Sequence, residues 1–332
     1  MSGGLAARWL EAAYHGAPWL RALRPLEALY RLAVRRRVRA YAEGRREAWR
    51  APVPVIVVGN ITLGGTGKSP LVAWLARHLA EAGWRPGILS RGYGGRAEGY
   101  PLRVDADTTA DACGDEPRML ADQTGVPVVV DPQRPRGARL LLEAGCDLLL
   151  ADDGLQHLAL ARDLELVVVD GHRGLGNGRC LPAGPLREPG ERLARVDAVL
   201  INGEPRDPAL DGHPRMRLAP SGWRPLAGGA RRALSPPPFA GRVHAVAGIG
   251  RPARFFATLE ALGVPHLAHP FADHHRFTAA DLDFGDALPL AMTAKDAVKC
   301  RELVSGEAWV LEVEAAPDPD FVAWLDRRLA AL

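Results

Sequence analysis

Lysine is scarce in this chain of 332 residues, although basic residues are abundant. The 42 basic residues comprise 39 arginines and three lysines, which stand at positions 68, 295 and 299. Lysine carries a compact ammonium on a flexible stem, whereas arginine carries a broad planar guanidinium. The chain uses arginine almost everywhere and yet keeps Lys68 in a glycine-rich loop. This choice favours a loop in which a compact charge fits between phosphate groups.

Cysteine is also scarce, and long hydrophobic runs are absent. The four cysteines at positions 113, 146, 180 and 300 are far apart and form no CxxC pair. That spacing argues against a zinc or redox motif and predicts a reducing compartment. No apolar run reaches the ~18 residues expected of a membrane-spanning helix. The pattern of a secretory signal peptide is missing as well.

Charge is distributed unevenly along the chain. Residues 1–50 carry eleven arginines and four glutamates, a net +7, so the remainder carries −4 of the total of +3. Apolar side chains recur at helical spacing through residues 5–40, with Trp19 among leucines and arginines at the margins. This composition is typical of a helix in a membrane interface, and residues 1–50 are predicted to be a membrane-docking segment. A helical arm packed on the body, with a solvated basic face, is the alternative.

A glycine-rich loop lies between a predicted strand, residues 53–58, and a predicted helix that begins near residue 69. Backbone N–H groups of such a loop converge on one point, and the helix dipole adds positive charge there. Lys68 can reach the β- and γ-phosphates of a nucleotide, and Ser69 can bind Mg²⁺. Thr62 stands where the standard pattern has glycine. The predicted nucleotide-binding residues of the loop are Thr62, Gly64, Gly65, Thr66, Gly67, Lys68 and Ser69.

The order of apolar runs and helical segments predicts an α/β fold. Strands are expected at 53–58, 87–90, 127–131, 146–151, 164–169 and 196–201, and helices near 69–82, 116–124 and 134–144. Continuous apolar strands suit a mostly parallel sheet of the P-loop NTPase type, with helices on both faces. Residues 203–238, rich in Pro, Gly and Arg, are interpreted as a connector. We therefore predict a first unit over 51–235 and a smaller α/β unit over 236–332, with a strand at 242–247 and a helix from about 319.

Acidic residues follow two features of the predicted sheet. Asp152 and Asp153 end an apolar strand, a common pattern that by itself indicates capping. With Lys68 and Ser69 upstream it favours the strand-end acids with which a P-loop protein holds Mg²⁺ directly or through water. Asp115 begins a helix, so helix capping and a role as a base toward an acceptor hydroxyl both stay open. Farther along, Asp273-His274-His275 indicates a metal site, an acid–base pair or an exposed loop. Arg187 could contact phosphate and Glu188 could bind metal, or the two could form a surface ion pair.

Seven motifs, in this order over roughly residues 50–300, together resemble the tetraacyldisaccharide 4′-kinase family, the lipid A 4′-kinases of Gram-negative bacteria. The motifs are GNITLGGTGKSP (59–70), SRGYG (90–94), GDEP (114–117), DDGLQH (152–157), LPAGPLRE (181–188), FADHH (271–275) and TAKDAVKC (293–300). Ser69 stands where the family usually has Thr. Ala294 replaces a common Glu, so we assign the loop at 293–296 no catalytic role.

The resemblance implies transfer of the ATP γ-phosphoryl group to the 4′-hydroxyl of tetraacyldisaccharide 1-phosphate, which forms lipid IVA. It implies that Asp115 is the base, with His274 as its partner and Lys68 on the phosphates. It implies Mg²⁺ bound by Ser69, Asp152 and Asp153, with Glu188 as a further candidate. The implied phosphate contacts outside the loop are Arg187 and Arg91.

The same resemblance implies a place and partners for the chain. We expect peripheral or monotopic attachment to the cytoplasmic face of the inner membrane through residues 1–50. The expected partner is the acylated disaccharide 1-phosphate lipid, with no nucleic acid and no obligate protein partner. Because Asp115 and His274 fall in different predicted units, we expect domain closure to assemble the site.

Two other functions fit parts of the sequence. A membrane-associated P-loop ATPase of the partitioning or cell-division type would share the glycine loop. Those proteins carry a signature lysine directly before the first glycine, where this chain has Leu63. A non-enzymatic membrane adapter would have no need for Lys68, the paired strand-end acids and the Asp115 motif together.

Overall fold

The computed structural model describes residues 5–332, which form one twelve-stranded sheet with helices packed on it. The strands are β1 Val55–Gly59, β2 Pro86–Ser90, β3 Leu102–Arg103, β4 Val128–Val130, β5 Leu148–Asp152, β6 Leu164–Asp170, β7 Ala198–Asn202, β8 Arg215–Pro225, β9 Val243–Ala247, β10 His266–Pro270, β11 Leu290–Thr293 and β12 Ala308–Pro317. The helices are α1 Leu5–His15, α2 Arg24–Ala42, α3 Lys68–Glu81, α4 Ala110–Cys113, α5 Asp115–Thr124, α6 Arg134–Glu143, α7 Pro252–Ala261, α8 Ala294–Cys300 and α9 Pro319–Leu329.

Six parallel strands form the part of the sheet that positions the glycine loop. Their order is β4-β2-β5-β1-β6-β7. Each is a short apolar run, and nearly every residue in them is buried, because an apolar cluster covers each face. The predicted α/β fold and the strands and helices of residues 53–201 are confirmed to within two residues at each end. Since β1 and β5 are neighbours, the loop after β1 and the acids after β5 meet at one edge.

The segment 203–238, predicted to be a connector, is instead largely structural. It contains β8, eleven residues long, which pairs with β7 in parallel and with β12 in antiparallel orientation. Prolines and glycine in this segment concealed the strand. The pairing of β8 with β12 shifts register between Glu312 and Val313 of β12 and leaves Ser221 of β8 without a partner on that strand. Such a bulge accommodates Pro220. Through β8 and β12 the sheet continues without a break into β11, β9 and β10.

The last helix returns to the first half of the molecule. Helix α9, predicted from about residue 319, places Phe321, Leu325 and Leu329 in the apolar cluster that also contains α3 and the residues of one face of β1. The end of the predicted second unit, 236–332, therefore packs on the first. The boundary at residues 235 and 236 stays a prediction.

The N-terminal helices lie against the body on one side and face outward on the other. Ala13, Leu20 and Glu27 are buried. Large apolar side chains are exposed on the outer side. They are Leu5, Trp19, Leu26, Leu29, Leu32 and Val38. Among residues 5–332 no helix is long and apolar enough to cross a membrane.

Candidate active site

The glycine loop connects β1 to α3. Gly64 and Gly67 have φ of 96° and 95°, a conformation that costs a residue with a side chain. Helix α3 begins at Lys68, directly after Gly67, so the lysine and the first helical N–H groups lie at the loop. Gly64 and Gly65 are exposed, whereas Ser69 is 8% exposed.

Two asparagines that the sequence reading did not identify hold this loop. Asn202, at the end of β7, donates from Nδ2 to the Thr66 carbonyl oxygen at 2.9 Å. Asn60 donates to Thr66 Oγ1 at 3.3 Å and is completely buried. Thr62 is 2% exposed and pairs through its backbone with Leu186. Thr62 therefore lies at the base of the loop, beneath its exposed glycines.

Lys68 and Arg187 share one carboxylate. The Lys68 ammonium lies 3.6 Å from Asp153 Oδ1, and Arg187 binds both oxygens of Asp153 at 2.8 and 3.0 Å. Burial acts to raise the pKa of Asp153, but the charges of Lys68 and Arg187 outweigh it and hold that pKa well below its ordinary value. Arg187 is therefore paired with Asp153 and not with the adjacent Glu188, and its role as a phosphate contact stays a prediction.

Asp152 is the most completely buried acid of the site. It is 1% exposed, and neither of its carboxylate oxygens has a hydrogen-bond partner among the described residues. Burial raises its pKa to about 7, and the charge of Glu116 adds to the effect, while Lys68 opposes it. A buried polar group without a partner costs about 1–3 kcal/mol, and more if it is charged, so a cation bound at Asp152 would remove that cost.

Asp152 and Ser69 offer oxygen atoms suited to a magnesium ion, whereas Glu188 is occupied by other contacts. Mg²⁺ in phosphotransferases is usually bound by one or two protein oxygens together with phosphates and water. Asp152, with two unpaired oxygens, and Ser69, at the start of α3, meet that need. Glu188 is already engaged, since it accepts a hydrogen bond from Gln156 at 2.5 Å and lies 3.4 Å from Arg192. Within residues 5–332 no group of three acidic, histidine or cysteine side chains forms a self-sufficient metal cluster.

Asp115 and His274 are in contact although 159 positions separate them. His274 Nδ1 lies 3.2 Å from Asp115 Oδ2, at the start of α5. Burial acts to raise the pKa of Asp115, but the hydrogen bond from His274 and the charge of Lys299 outweigh it and lower that pKa. Tyr93 packs edge-on against the His274 ring, with ring centroids 5.5 Å apart. The neighbouring His275 contacts Asp281 instead, at 3.3 Å.

Backbone strain coincides with these acids and bases. Among residues 5–332 only two non-glycine residues have positive φ, Asp153 at 48° and His274 at 58°. Such a conformation costs a residue with a side chain roughly 1 kcal/mol. Residues held in this way are concentrated at functional sites in proteins.

Arg91 and the DDGLQH motif surround the same edge. Arg91 is exposed, and its positive charge contributes to a lower pKa of His157. Burial, followed by the charges of Arg134 and Arg91, lowers the pKa of His157 to about 3, so this histidine is neutral. Arg134, which the sequence reading did not identify, is buried and donates to the Asp152 carbonyl oxygen at 3.1 Å. The positive charge of Arg134 partly offsets the negative charges of Asp152 and Asp153.

The loop at 293–296, to which we assigned no catalytic role, leads into the site. Lys295 Nζ lies 3.2 Å from His274 Nε2, and Lys299 Nζ lies 3.6 Å from Asp115 Oδ2. Helix α8 carries both lysines and packs on α5. The presence of Ala294 in place of glutamate therefore does not exclude a role for Lys295 and Lys299. The scarcity of lysine in the sequence is the signal that could have identified these two residues.

Two tyrosines of the N-terminal helices also reach the site. The Tyr14 hydroxyl donates to the Leu63 carbonyl oxygen at 2.6 Å, next to the first glycine of the loop. The Tyr30 hydroxyl donates to the Arg187 carbonyl oxygen at 2.8 Å. Glu27 accepts from the Cys180 N–H at 3.0 Å. No sequence pattern announces these long-range contacts.

A lysine that starts a helix after a glycine loop, paired with a strand-end acid on the neighbouring parallel strand, defines the site of a P-loop phosphotransferase. The comparisons with known proteins agree. The chain belongs to the tetraacyldisaccharide-1-P 4′-kinase family, whose model matches residues 19–330.

Individual relatives extend over nearly the whole chain. The tetraacyldisaccharide 4′-kinase of Pseudomonas aeruginosa is 54% identical over 326 residues, which is 98% of each chain. That of Azotobacter vinelandii is 55% identical over 329 residues, which is 99% of this chain and 98% of the relative. The crystal structure of Aquifex aeolicus LpxK in complex with ATP is similar in fold, with a TM-score of 0.79 and 28% identity over 94% of this chain and 99% of the other.

The loop makes a prediction about stability. A side chain at Gly67 would approach Asn202 Nδ2 to 2.6 Å in a left-handed conformation, whereas one at Gly65 would meet nothing within 4 Å. We expect Gly67→Ala to lower the free energy of unfolding by about 1–3 kcal/mol. Urea unfolding without nucleotide measures this loss, with Gly65→Ala as the matched control. Equal stability of the two variants would contradict the described loop.

Proposed function

We propose that this chain is an ATP-dependent kinase that phosphorylates the 4′-hydroxyl of tetraacyldisaccharide 1-phosphate and so forms lipid IVA. The observation that carries the proposal is a carboxylate, Asp115, held by His274 close to a P-loop phosphate site. The two parts adjoin, since α5, which begins at Asp115, packs on α3, which begins at Lys68. A motor or switch ATPase needs a positioned water, whereas a kinase needs a base at an acceptor hydroxyl.

The proposed reaction follows from the described residues. The acceptor hydroxyl oxygen attacks the γ-phosphorus, its proton passes to Asp115, and the bond from that phosphorus to the β–γ bridging oxygen breaks to leave ADP. Lys68 and Arg187 provide positive charge at the phosphates, and their shared partner Asp153 fixes their positions. Phosphoryl transfer requires mainly alignment and charge neutralisation, which these residues can supply.

Magnesium completes the proposed site. Ser69 and Asp152 would bind the ion. Asp153 would contribute indirectly, through its ion pair with Lys68. The ion would supply charge neutralisation on the transferring phosphates. Glu188, paired with Arg192 and bonded to Gln156, would serve indirectly by orienting the loop at 181–188.

A membrane surface is the proposed location of the acceptor. Trp19, Leu29 and their neighbours form an exposed apolar strip on α1, α2 and the turn between them, with exposures of 54% and 63% for these two residues. Most arginines of residues 1–50 lie on the same helices, one on α1 and six on α2, and basic residues beside an apolar strip favour the surface of an anionic bilayer. Docking at the cytoplasmic face of the inner membrane would place the site next to a lipid headgroup. The closing motion between the two halves stays a prediction.

The function is tested with ATP and a panel of acylated disaccharide phosphates, analysed by mass spectrometry. We expect one phosphate to be added only to lipids with a free 4′-hydroxyl. Lys68→Ala should abolish the product, because the phosphates lose their anchor. Hydrolysis of ATP at the same rate with and without lipid would favour the partitioning-type ATPase instead.

The tyrosine contacts predict that the N-terminal helices support nucleotide binding. Tyr14→Phe removes one hydrogen bond to the base of the loop, so we expect ATP to bind about two- to tenfold more weakly, the value of one hydrogen bond. Calorimetry without lipid measures this effect separately from any contact with the membrane. Tyr41→Phe, in the last turn of α2, is the matched control. Unchanged ATP affinity in Tyr14→Phe would refute the coupling.

A further inference from the structure

Two of the three lysines of the chain contact Asp115 and His274, and the third is Lys68 in the glycine loop. Lys295 and Lys299 lie one turn apart on α8, so both point from the same helix. The environment of Asp115 and His274 is otherwise rich in acids, which makes the two ammonium groups its local source of positive charge.

Lys295 determines where the proton of His274 lies. An ammonium can only donate hydrogen bonds, and Lys295 Nζ is 3.2 Å from His274 Nε2. Nε2 must therefore accept, which leaves the ring proton on Nδ1. From Nδ1 the proton is donated to Asp115 Oδ2, 3.2 Å away. A second bond from Lys295 to Asp273 Oδ1, at 3.1 Å, fixes the ammonium in place.

Lys299 is buried beside the carboxylate. Its side chain is 10% exposed, with Nζ 3.6 Å from Asp115 Oδ2 and 3.1 Å from Asp296 Oδ1. Asp296 is fully buried and is held by the Gly248 N–H at 2.9 Å. The ammonium also lies 5.1 Å from the centre of the Phe277 ring. Since Lys299 Nζ is buried and has no hydrogen-bond partner among the described residues, its charge acts on the two neighbouring carboxylates.

The contacts with Asp115 are one-sided. His274 and Lys299 both approach Oδ2, and no hydrogen bond among residues 5–332 reaches Oδ1. Oδ1 is therefore the oxygen open to an acceptor hydroxyl. His274 has both ring nitrogens engaged, so it orients the carboxylate and does not carry the proton onward.

We propose that Lys295 and Lys299 are positioning residues for phosphoryl transfer: Lys295 holds His274 in its Nδ1–H tautomer, and Lys299 places a positive charge beside the Asp115 carboxylate. The inference rests on the proposed kinase function. Arginine would not replace Lys299, because a planar guanidinium needs more space than an ammonium packed between Asp296 and Phe277.

The other charged and titratable groups that face the pair leave this assignment unchanged. Asp273 and Glu116 approach Lys295, at 3.1 and 3.9 Å. Asp296 faces Lys299. Tyr93 packs on the His274 ring. The remaining neighbours, Cys113 and Cys300, are uncharged near neutrality, since burial raises the pKa of Cys113 to about 11 and of Cys300 to about 12. The lowered pKa of Asp115 agrees with two ammonium groups nearby.

Nitrogen NMR of the histidine rings tests the first half of the proposal without any substrate. In the wild-type protein we expect the neutral ring of His274 to be the Nδ1–H tautomer, with a bare Nε2. In Lys295→Met, Nε2 loses its donor, so we expect a mixture of the two neutral tautomers. An unchanged His274 signal in Lys295→Met would overturn the role of Lys295. Because no turnover is measured, this result is independent of the kinase assignment.

The pH dependence of kcat tests the second half. In Lys299→Met we expect the acidic fall of kcat to move upward by about one pH unit, the effect of removing an opposite charge near a carboxylate. Lys299→Arg should restore the charge but not its position, so we expect its kcat to stay below that of the wild-type protein. Arg301→Met, which breaks only the 2.9 Å ion pair with Asp122 on α5, is the matched control. If Lys299→Met has the same pH profile as the wild-type protein, the role of Lys299 is overturned. If the wild-type protein itself does not phosphorylate the 4′-hydroxyl, the proposed function is refuted instead.

Discussion

The hydrogen bond between His274 and Asp115 is the contact on which the organisation of the site depends. His274 lies on the loop after β10, near the far edge of the sheet, and Asp115 begins α5 near the opposite edge. Strands β8 and β12 join the strands of both halves in one sheet. Helix α8, which carries the lysines, packs on α5, the helix that begins at Asp115. The packing of α8 on α5 therefore does for the base what the β1–β5 pair does for the phosphate loop.

Compensation of charge is the second theme. Asp152 and Asp153 are adjacent and end the same strand, yet their surroundings separate their pKa values in opposite directions. Asp153 is neutralised within the protein by Lys68 and Arg187. The carboxylate oxygens of Asp152 have no hydrogen-bond partner within residues 5–332. Neighbouring acids with opposite pKa shifts are a common way for a protein to give two carboxylates different tasks.

Much of the fold could be predicted from the sequence, because continuous apolar runs and helical spacing have a direct physical origin in burial on a two-sided sheet. The glycine loop, the strand-end acids and the Asp115 motif could be placed for the same reason. The strand β8 could not, since Pro220 and Gly222 disguise it and a bulge in its pairing accommodates them. The contacts of Tyr14 and Tyr30 depend on helix packing over long distances, and no local pattern encodes them. The resemblance to a kinase family then joined motifs that are individually weak.

The most direct test of the account is the turnover of Asp115→Asn at saturating lipid and ATP. This substitution keeps the shape of the side chain and removes the charge that would accept the hydroxyl proton. We expect kcat to fall by about 10²–10⁴-fold, the usual contribution of a general base, with little change in ATP affinity. Asp111→Asn, on the neighbouring helix α4, is the matched control. Turnover of Asp115→Asn close to that of the wild-type protein would contradict the account.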